Sequence, residues 1–232
     1  MEKILAIGGA VVKTARNELI RLIKSGEIEM LIHNGGSLFH DFQHAVDPPA
    51  NGMHSYPMDH LMYSQEELKI TNIKIHEFFT LKGNPAPEGS TTHLCAKMGI
   101  PVLVFTGLGC DWWQFDIDDW SIFANFSKAA FDVLVNRFQN KRFHFINMGS
   151  AVIHPEVFVK ALALSCAVGV KGWFRADVVD FRDMYRPRTR VAKYGNYYVN
   201  EHARFIRSWL NFGYPEIELK EICENELSKN VH

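Results

Sequence analysis

Residues 3–36 have the sequence KILAIGGAVVKTARNELIRLIKSGEIEMLIHNGG. The apolar run 3–7 leads directly into two glycines, which is typical of a buried strand that ends in a tight turn. A stretch with apolar residues at helical spacing follows and ends at Gly26, and residues 29–33 form a second apolar run. Strand, loop, helix and strand in this order predict a parallel βαβ unit.

The rest of the chain continues this alternation, with amphipathic stretches typical of helices between short apolar runs. Further strands are predicted at 101–105, 143–147 and 173–179. The segment 182–199 is basic and aromatic and is expected to be irregular, and residues 200–211 are expected to form a C-terminal helix. We therefore expect residues 1–232 to form one Rossmann-like α/β domain. Its core would be a doubly wound, mostly parallel sheet of five or six strands with helices on both faces.

Composition restricts the classes of partner. Hydrophobic residues make up 47% of the 232 residues, charged residues make up 22%, and the formal net charge is -1. This balance gives no basic footprint for nucleic acid. Neither a signal peptide nor an apolar run of membrane-spanning length is evident. We expect a cytoplasmic protein that binds a small molecule, with neither nucleic acid nor membrane as a partner.

Small and polar residues follow the predicted strands, where parallel sheets bind ligands. Glycine lets backbone amides approach a phosphate, and the following helix adds the positive end of its dipole. The residues expected to contact such a ligand are Gly9, Asn34, Gly35, Gly36, Thr106, Gly149 and Ser150. The alternative is that these turns need glycine for their own geometry. The GxGxxG fingerprint of dinucleotide-binding proteins is absent, but the four loops together favour a nucleotide-like ligand.

His154 and Glu156 follow the last of these loops, at the start of a predicted helix. His154 is a candidate general acid or base, and Glu156 is assigned to the catalytic site beside it. The alternative for Glu156 is stabilisation of the first helical turn, where the helix dipole favours a negative charge.

Asp111 precedes two tryptophans after the third glycine loop. Asp111 is a candidate ligand of a ribose hydroxyl or a cation, and Trp112 and Trp113 are candidate walls of a substrate site. The alternative is that the two indoles fill the edge of the core.

His40 and His44 are spaced to share one face of a helix, which would allow both to bind a metal. The chain contains no complete metal-ligand motif, so we instead assign His40 to the lining of the substrate cleft. A metal-dependent hydrolase that uses the two histidines is kept as an alternative hypothesis about function.

Four stretches resemble deoxyhypusine synthases and their bacterial relatives. Residues 9–15 and 33–41 are similar to the first βαβ unit of that family, residues 100–111 to a later strand and its cofactor-contacting Asp, and residues 147–154 to the glycine-rich turn near its catalytic lysine. The resemblance implies a Rossmann-like fold, NAD as cofactor, and a homotetramer with sites at subunit interfaces. It adds Thr14 and Asp41 to the expected NAD contacts.

The family passes an aminobutyl group through a lysine imine, but the aligned position here is Ile153, which cannot form an imine. The sequence therefore predicts an NAD-dependent enzyme acting on a small amine or amino acid without a lysine imine. The alternatives are a non-catalytic nucleotide-binding or regulatory protein, and the metal-dependent hydrolase.

Overall fold

The computed structural model describes residues 1–46, 65–111, 113–114, 117–140, 142–167, 173–216 and 219–221. The helices are α1 (Gly9–Lys24), α2 (Gly35–Val46), α3 (Gln65–Thr80), α4 (Thr91–Lys97), α5 (Ser121–Asn140), α6 (Ile153–Ala167) and α7 (His202–Phe212). The strands are β1 (Glu2–Ile7), β2 (Met30–Asn34), β3 (Val102–Phe105), β4 (Phe143–Met148), β5 (Trp173–Asp180), β6 (Tyr197–Val199) and β7 (Lys220–Glu221).

The sheet has the order β3-β2-β1-β4-β5-β6, and all five pairings in this series are parallel. The short strand β7 is antiparallel and pairs with the beginning of β5. This order is that of the doubly wound Rossmann fold, in which the chain turns back between the first and fourth strands. The predicted fold class is confirmed.

Alternate residues of the strands pack against two helical layers. Leu5 lies in a core cluster that includes Trp209 of α7 and residues of α1, whereas Ile4 lies in a cluster that includes Phe138 of α5 and Phe158 of α6. Burial on both faces explains why the central strands are nearly continuous apolar runs.

A third apolar cluster lies beyond the β3 edge and joins α2, α3 and the start of α5. Phe79 of α3 is central to it, stacking on Trp113 at 5.9 Å and meeting Phe123 edge to face at 5.1 Å. This cluster fixes the loop that follows β3.

The segment 182–199 is more regular than expected. Pro187–Val191 forms one π-helical turn, Ala192–Tyr194 forms a 3-10 turn, and β6 completes the sheet. The Tyr197 hydroxyl donates to the Arg182 carbonyl and accepts the Met184 amide proton, and these bonds order the segment.

Among the described residues, no helix combines the length and apolar character needed to cross a membrane.

Candidate functional site

The chain reverses its winding between β1 and β4, and the loops after these strands touch. The Gly8 amide donates to the Met148 carbonyl at 2.9 Å. A Cβ atom on Gly8 would lie 1.9 Å from the Gly149 carbonyl oxygen, so position 8 has no room for a side chain. Because α1 and α6 leave this point on opposite faces of the sheet, the divergence creates the crevice in which such folds bind ligands.

The amino terminus of α1 opens onto this crevice. Gly8 is the N-cap residue, no side chain caps the helix, and its first turn contains no acidic residue. A Cβ on Gly9 would lie 3.0 Å from His40 Cδ2 and 3.5 Å from the Gly36 carbonyl group. The loops after β1 and β2 therefore meet, and the predicted residues Gly9, Gly36 and His40 lie together.

Asn34 and Ser37 lock the start of α2. The Ser37 amide donates to Asn34 Oδ1 at 2.8 Å, and the Asn34 amide donates to Ser37 Oγ at 2.9 Å. Asn34 Nδ2 also lies 3.5 Å from Ser150 Oγ, which links the loops after β2 and β4. Asn34 and Ser150 are thus brought together as expected.

Asp111 extends from the loop after β3 to the start of α2. Its Oδ2 atom lies 1.8 Å from the position that a Cβ on Gly35 would take, so only glycine leaves room for the carboxylate. Burial raises the pKa of Asp111 to about 6. Gln114 fixes the loop because its amide group bonds the Gly107 carbonyl at 3.0 Å and the Gly109 amide at 2.7 Å. The sequence analysis did not single out Gln114.

Thr106 lies at the end of β3, as predicted. Its hydroxyl oxygen is buried and has no hydrogen-bond partner among the residues that the structure describes. Asn147 Oδ1, near the end of β4, is likewise buried and has no hydrogen-bond partner among the described residues. Buried polar atoms of this kind are rare in native proteins and often mark a place where a ligand or water binds.

His154 is buried at the start of α6, with 1% of its surface exposed. Neither ring nitrogen has a hydrogen bond of good geometry within the described residues. The nearby His33 backbone favours the protonated form of the His154 ring and so raises its pKa. Burial nevertheless dominates and lowers the pKa of His154 to about 3. The ring is therefore neutral at pH 7.

Two other predicted site residues have structural partners. Asp41 is fully buried and accepts hydrogen bonds from the Thr91 amide, the Thr92 amide and the Thr92 hydroxyl, so its carboxylate caps α4. Glu156 lies 3.6 Å from Arg186 and 3.4 Å from Arg190, which pairs it with the basic segment.

The remaining predicted residues lie apart from the crevice or outside the described residues. Thr14 is exposed on α1 and its hydroxyl donates to the Ala10 carbonyl. Trp113 is 1% exposed within the third apolar cluster, which matches the core-filling alternative. Trp112 lies outside the described residues. In the described part of the chain, no group of three or more His, Cys, Asp or Glu residues is placed to hold a metal ion.

Sequence reasoning missed a pair on the other side of the crevice. His202 begins α7, and its ring lies against Gly149: a Cβ there would be 2.9 Å from His202 Cε1. Asp180 ends β5, and its Oδ1 atom lies 3.9 Å from His202 Nε2. The available signal was weak, because both residues flank the segment that was expected to be irregular.

A second polar cluster lies within the sheet, on strands β4 and β5. Asp177 accepts hydrogen bonds from the Arg175 Nε group, the Asn196 amide and the Tyr214 hydroxyl, and its Oδ2 atom lies 2.9 Å from His144 Nε2. These contacts lower the pKa of Asp177, outweighing the opposing effect of burial.

Fold and crevice together define a Rossmann-like protein with a candidate ligand site at the strand-order reversal. No protein-family model matches the chain, and no curated protein sequence matches it. Solved structures do match. A provisionally assigned LOR/SDH protein from Methanococcus maripaludis S2 aligns over 90% of this chain and 59% of its own, with a TM-score of 0.58 and 15% identity.

Two further structures are similar. AgrE, in a ternary complex with ornithine and NAD⁺, aligns over 89% of this chain and 29% of its own, with a TM-score of 0.54 and 14% identity. A provisionally assigned deoxyhypusine synthase from Entamoeba histolytica aligns over 90% of this chain and 73% of its own, with a TM-score of 0.51 and 9% identity. At these identities the similarity shows the fold. The chain spans 59% of the LOR/SDH protein and under a third of AgrE.

Proposed function

We propose that this protein is an NAD-dependent enzyme that acts on a small amine or amino acid without a lysine imine. The observation that carries the proposal is the junction of the β1 and β4 loops, where Gly8 packs on Gly149 beside the uncapped start of α1. A dinucleotide binds across this point in the doubly wound fold, with its pyrophosphate at the helix amino terminus.

The residues at the crevice fit such a cofactor. The first-turn amides of α1, beginning at Gly9, would bind the pyrophosphate. Asp111, over the end of β2, would accept hydrogen bonds from ribose hydroxyls, which is the role that an acidic side chain has in this fold. The unpaired Thr106 and Asn147 oxygens offer further acceptors. When bound, NAD supplies a hydride acceptor.

The class of substrate is supported by the similar structures and by position 153. AgrE was solved with ornithine and NAD⁺, and another similar structure is provisionally assigned as a deoxyhypusine synthase. Ile153 begins α6, and its Cδ1 atom lies 3.3 Å from where a Cβ on Gly107 would be. A side chain without an amine at this position removes the covalent route of the synthases.

A specific observation favours the second candidate, a nucleotide-binding protein without catalysis. Glu156 is held in ion pairs with Arg186 and Arg190, and His154 is enclosed and neutral. Neither residue is free to exchange protons readily with a substrate. Turnover of NAD in the presence of an amine would separate the two candidates.

The first test of the proposal is cofactor binding. Ligand linkage at a hundredfold excess over the dissociation constant stabilises a protein by about 2.7 kcal/mol, so NAD should raise the melting temperature by about 5 °C or more. Asp111→Asn should weaken NAD binding about tenfold, since it removes a charged hydrogen-bond acceptor. Asp132→Asn, on the exposed side of α5, is the matched control.

An unchanged melting temperature at millimolar NAD and NADH would contradict the proposal in both its catalytic and non-catalytic forms. Equal weakening by Asp111→Asn and Asp132→Asn would remove the role assigned to Asp111. The homotetramer and the cytoplasmic location belong to the same proposal, and light scattering at micromolar concentration measures the first of them.

A further inference from the structure

His202 is a buried polar side chain without a structural partner. It is 0% exposed, and neither ring nitrogen has a hydrogen bond within the described residues. Its surroundings include the Gly149 backbone and the ring of Phe181, whose centroid lies 4.1 Å away. A buried imidazole whose nitrogens lack hydrogen-bond partners destabilises the fold until a donor reaches it. The Gly149 loop places it at the crevice.

Asp180 is the charged side chain beside this ring, with its Oδ1 atom 3.9 Å from His202 Nε2. It is 5% exposed, and its Oδ1 atom accepts the Phe181 amide proton at 2.8 Å. No lysine or arginine of the described residues lies within 4 Å of the carboxylate. Arg182 is the cation that acts on it from a distance, and Tyr197 is the other titratable group nearby. The pair therefore consists of the buried carboxylate of Asp180 and, beside it, the His202 ring, whose nitrogens have no hydrogen-bond partner among the described residues.

A ligand that completes this pair needs positive charge and hydrogen-bond donors. A phosphate or carboxylate would be repelled by Asp180, and an alcohol would satisfy the imidazole but leave the carboxylate without a counter-charge. A primary ammonium group has three donors and a compact charge, so it satisfies both.

We propose that Asp180 and His202 form the subsite that binds the primary ammonium group of this protein's small-molecule ligand. The assignment rests on the proposed function and names the residues that would recognise the amine of the substrate. Burial lowers the pKa of His202 to about 4, which leaves the ring a neutral acceptor at pH 7. Burial raises the pKa of Asp180, and a bound cation would lower it again.

The test compares a diamine with its uncharged counterpart on the NAD-loaded protein. The probes are 1,4-diaminobutane and 1,4-butanediol, and the measurements are saturation-transfer NMR and the ¹H–¹³C resonance of the His202 Cε1 group, assigned by its loss in His202→Gln. We expect the diamine to bind and to shift this resonance, and the diol to do neither.

Two variants supply the matched comparison. Asp180→Asn keeps the acceptor for the Phe181 amide but removes the charge, and it should weaken diamine binding at least tenfold while the NAD-induced rise in melting temperature is retained. Asp183→Asn, three residues away and half-exposed beside Arg188, should bind the diamine as the wild type does.

The outcomes are distinguishable. Equal binding of diamine and diol, or equal diamine binding by wild type and Asp180→Asn, would overturn the subsite while leaving the NAD proposal intact. Absence of diamine binding by a protein that binds NAD would do the same. Diamine binding that depends on Asp180 in a protein that NAD does not stabilise would support the subsite and contradict the NAD proposal.

Discussion

The protein contains two buried pairs of a histidine and an aspartate, and they differ in how completely they are satisfied. His144 and Asp177 are 2.9 Å apart, and Arg175, Asn196 and Tyr214 supply further hydrogen bonds to the carboxylate. By contrast, His202 and Asp180 are 3.9 Å apart, and neither ring nitrogen of His202 has a partner among the described residues.

Residue type and burial alone do not separate these two pairs. A buried network whose polar atoms are mostly paired stabilises one conformation, whereas one whose polar atoms lack partners costs free energy until another molecule completes it. In the first pair one histidine nitrogen, His144 Nδ1, lacks a partner among the described residues, whereas in the second pair both histidine nitrogens do. The position of each pair agrees with this difference. The first lies within the sheet, and its register partners His144 and Arg175 belong to adjacent strands. The second lies at the carboxyl ends of the strands, where ligands bind in this fold.

The largest expected difference is in stability. Asp177→Asn should lower the free energy of unfolding by about 3 kcal/mol, because it removes the charged partner that the buried Arg175 Nε group bonds and a hydrogen-bond centre of the cluster. Asp180→Asn should change it by less than about 1 kcal/mol, because no cation there loses an ion pair. Urea unfolding of both variants measures the contrast. Similar losses would show that both pairs are structural.

Each pair also packs against one glycine, and these glycines give the next contrast. A Cβ on Gly195 would lie 2.2 Å from the Ala176 carbonyl oxygen and 2.3 Å from Asp177 Oδ1, so Gly195→Ala must displace backbone and should cost about 3 kcal/mol. Gly149→Ala meets the His202 ring instead, which can move, and adds strain from its φ of 65°. We expect it to cost about 1–2 kcal/mol.

A double-mutant cycle isolates the contact at Gly149. His202→Ala removes the ring atoms that the new Cβ would meet, so Gly149→Ala should cost less in that background. The remaining cost is the backbone strain and the 3.0 Å contact with Val11 Cγ2. If the two changes are additive, the His202 ring does not press on Gly149 as the structure places it.

Local patterns were sufficient to predict the fold and the glycine-bearing strand ends that the structure brings together. The apolar runs and the glycines that end them lie within short stretches of chain, so residues 3–36 alone predicted the first βαβ unit. Gly9, Gly36 and Asn34 then meet because parallel strands deliver their carboxyl ends to one edge of the sheet.

Long-range partners were not predictable. Asp41 caps a helix that begins 50 residues later, and Trp113 packs on Phe79 of a helix that precedes it by more than 30 residues. Both contacts depend on tertiary packing that local periodicity does not encode. Asp180 and His202 were missed because β6 has only three residues within a basic segment, and without it nothing indicates that the two approach each other.

The last expected effect concerns pH and tests whether the buried histidines His202 and His154 are neutral in the fold. The pKa of His202 is about 4 and that of His154 is about 3, both below the ordinary value because of burial. Between the ordinary value near 6.5 and these lowered values, the unfolded chain binds more protons than the fold, so stability falls as pH falls. At pH 5 each histidine accounts for about 2 kcal/mol of this loss.

His202→Gln and His154→Leu should each reduce the decline in unfolding free energy between pH 7 and pH 5 by about 2 kcal/mol. His76→Gln, on the surface of α3, is the control for removing a histidine. The measurement is urea unfolding at the two pH values. If His202→Gln declines as steeply as the wild type, the ring carries a proton in the fold, and Asp180 is then its counter-charge.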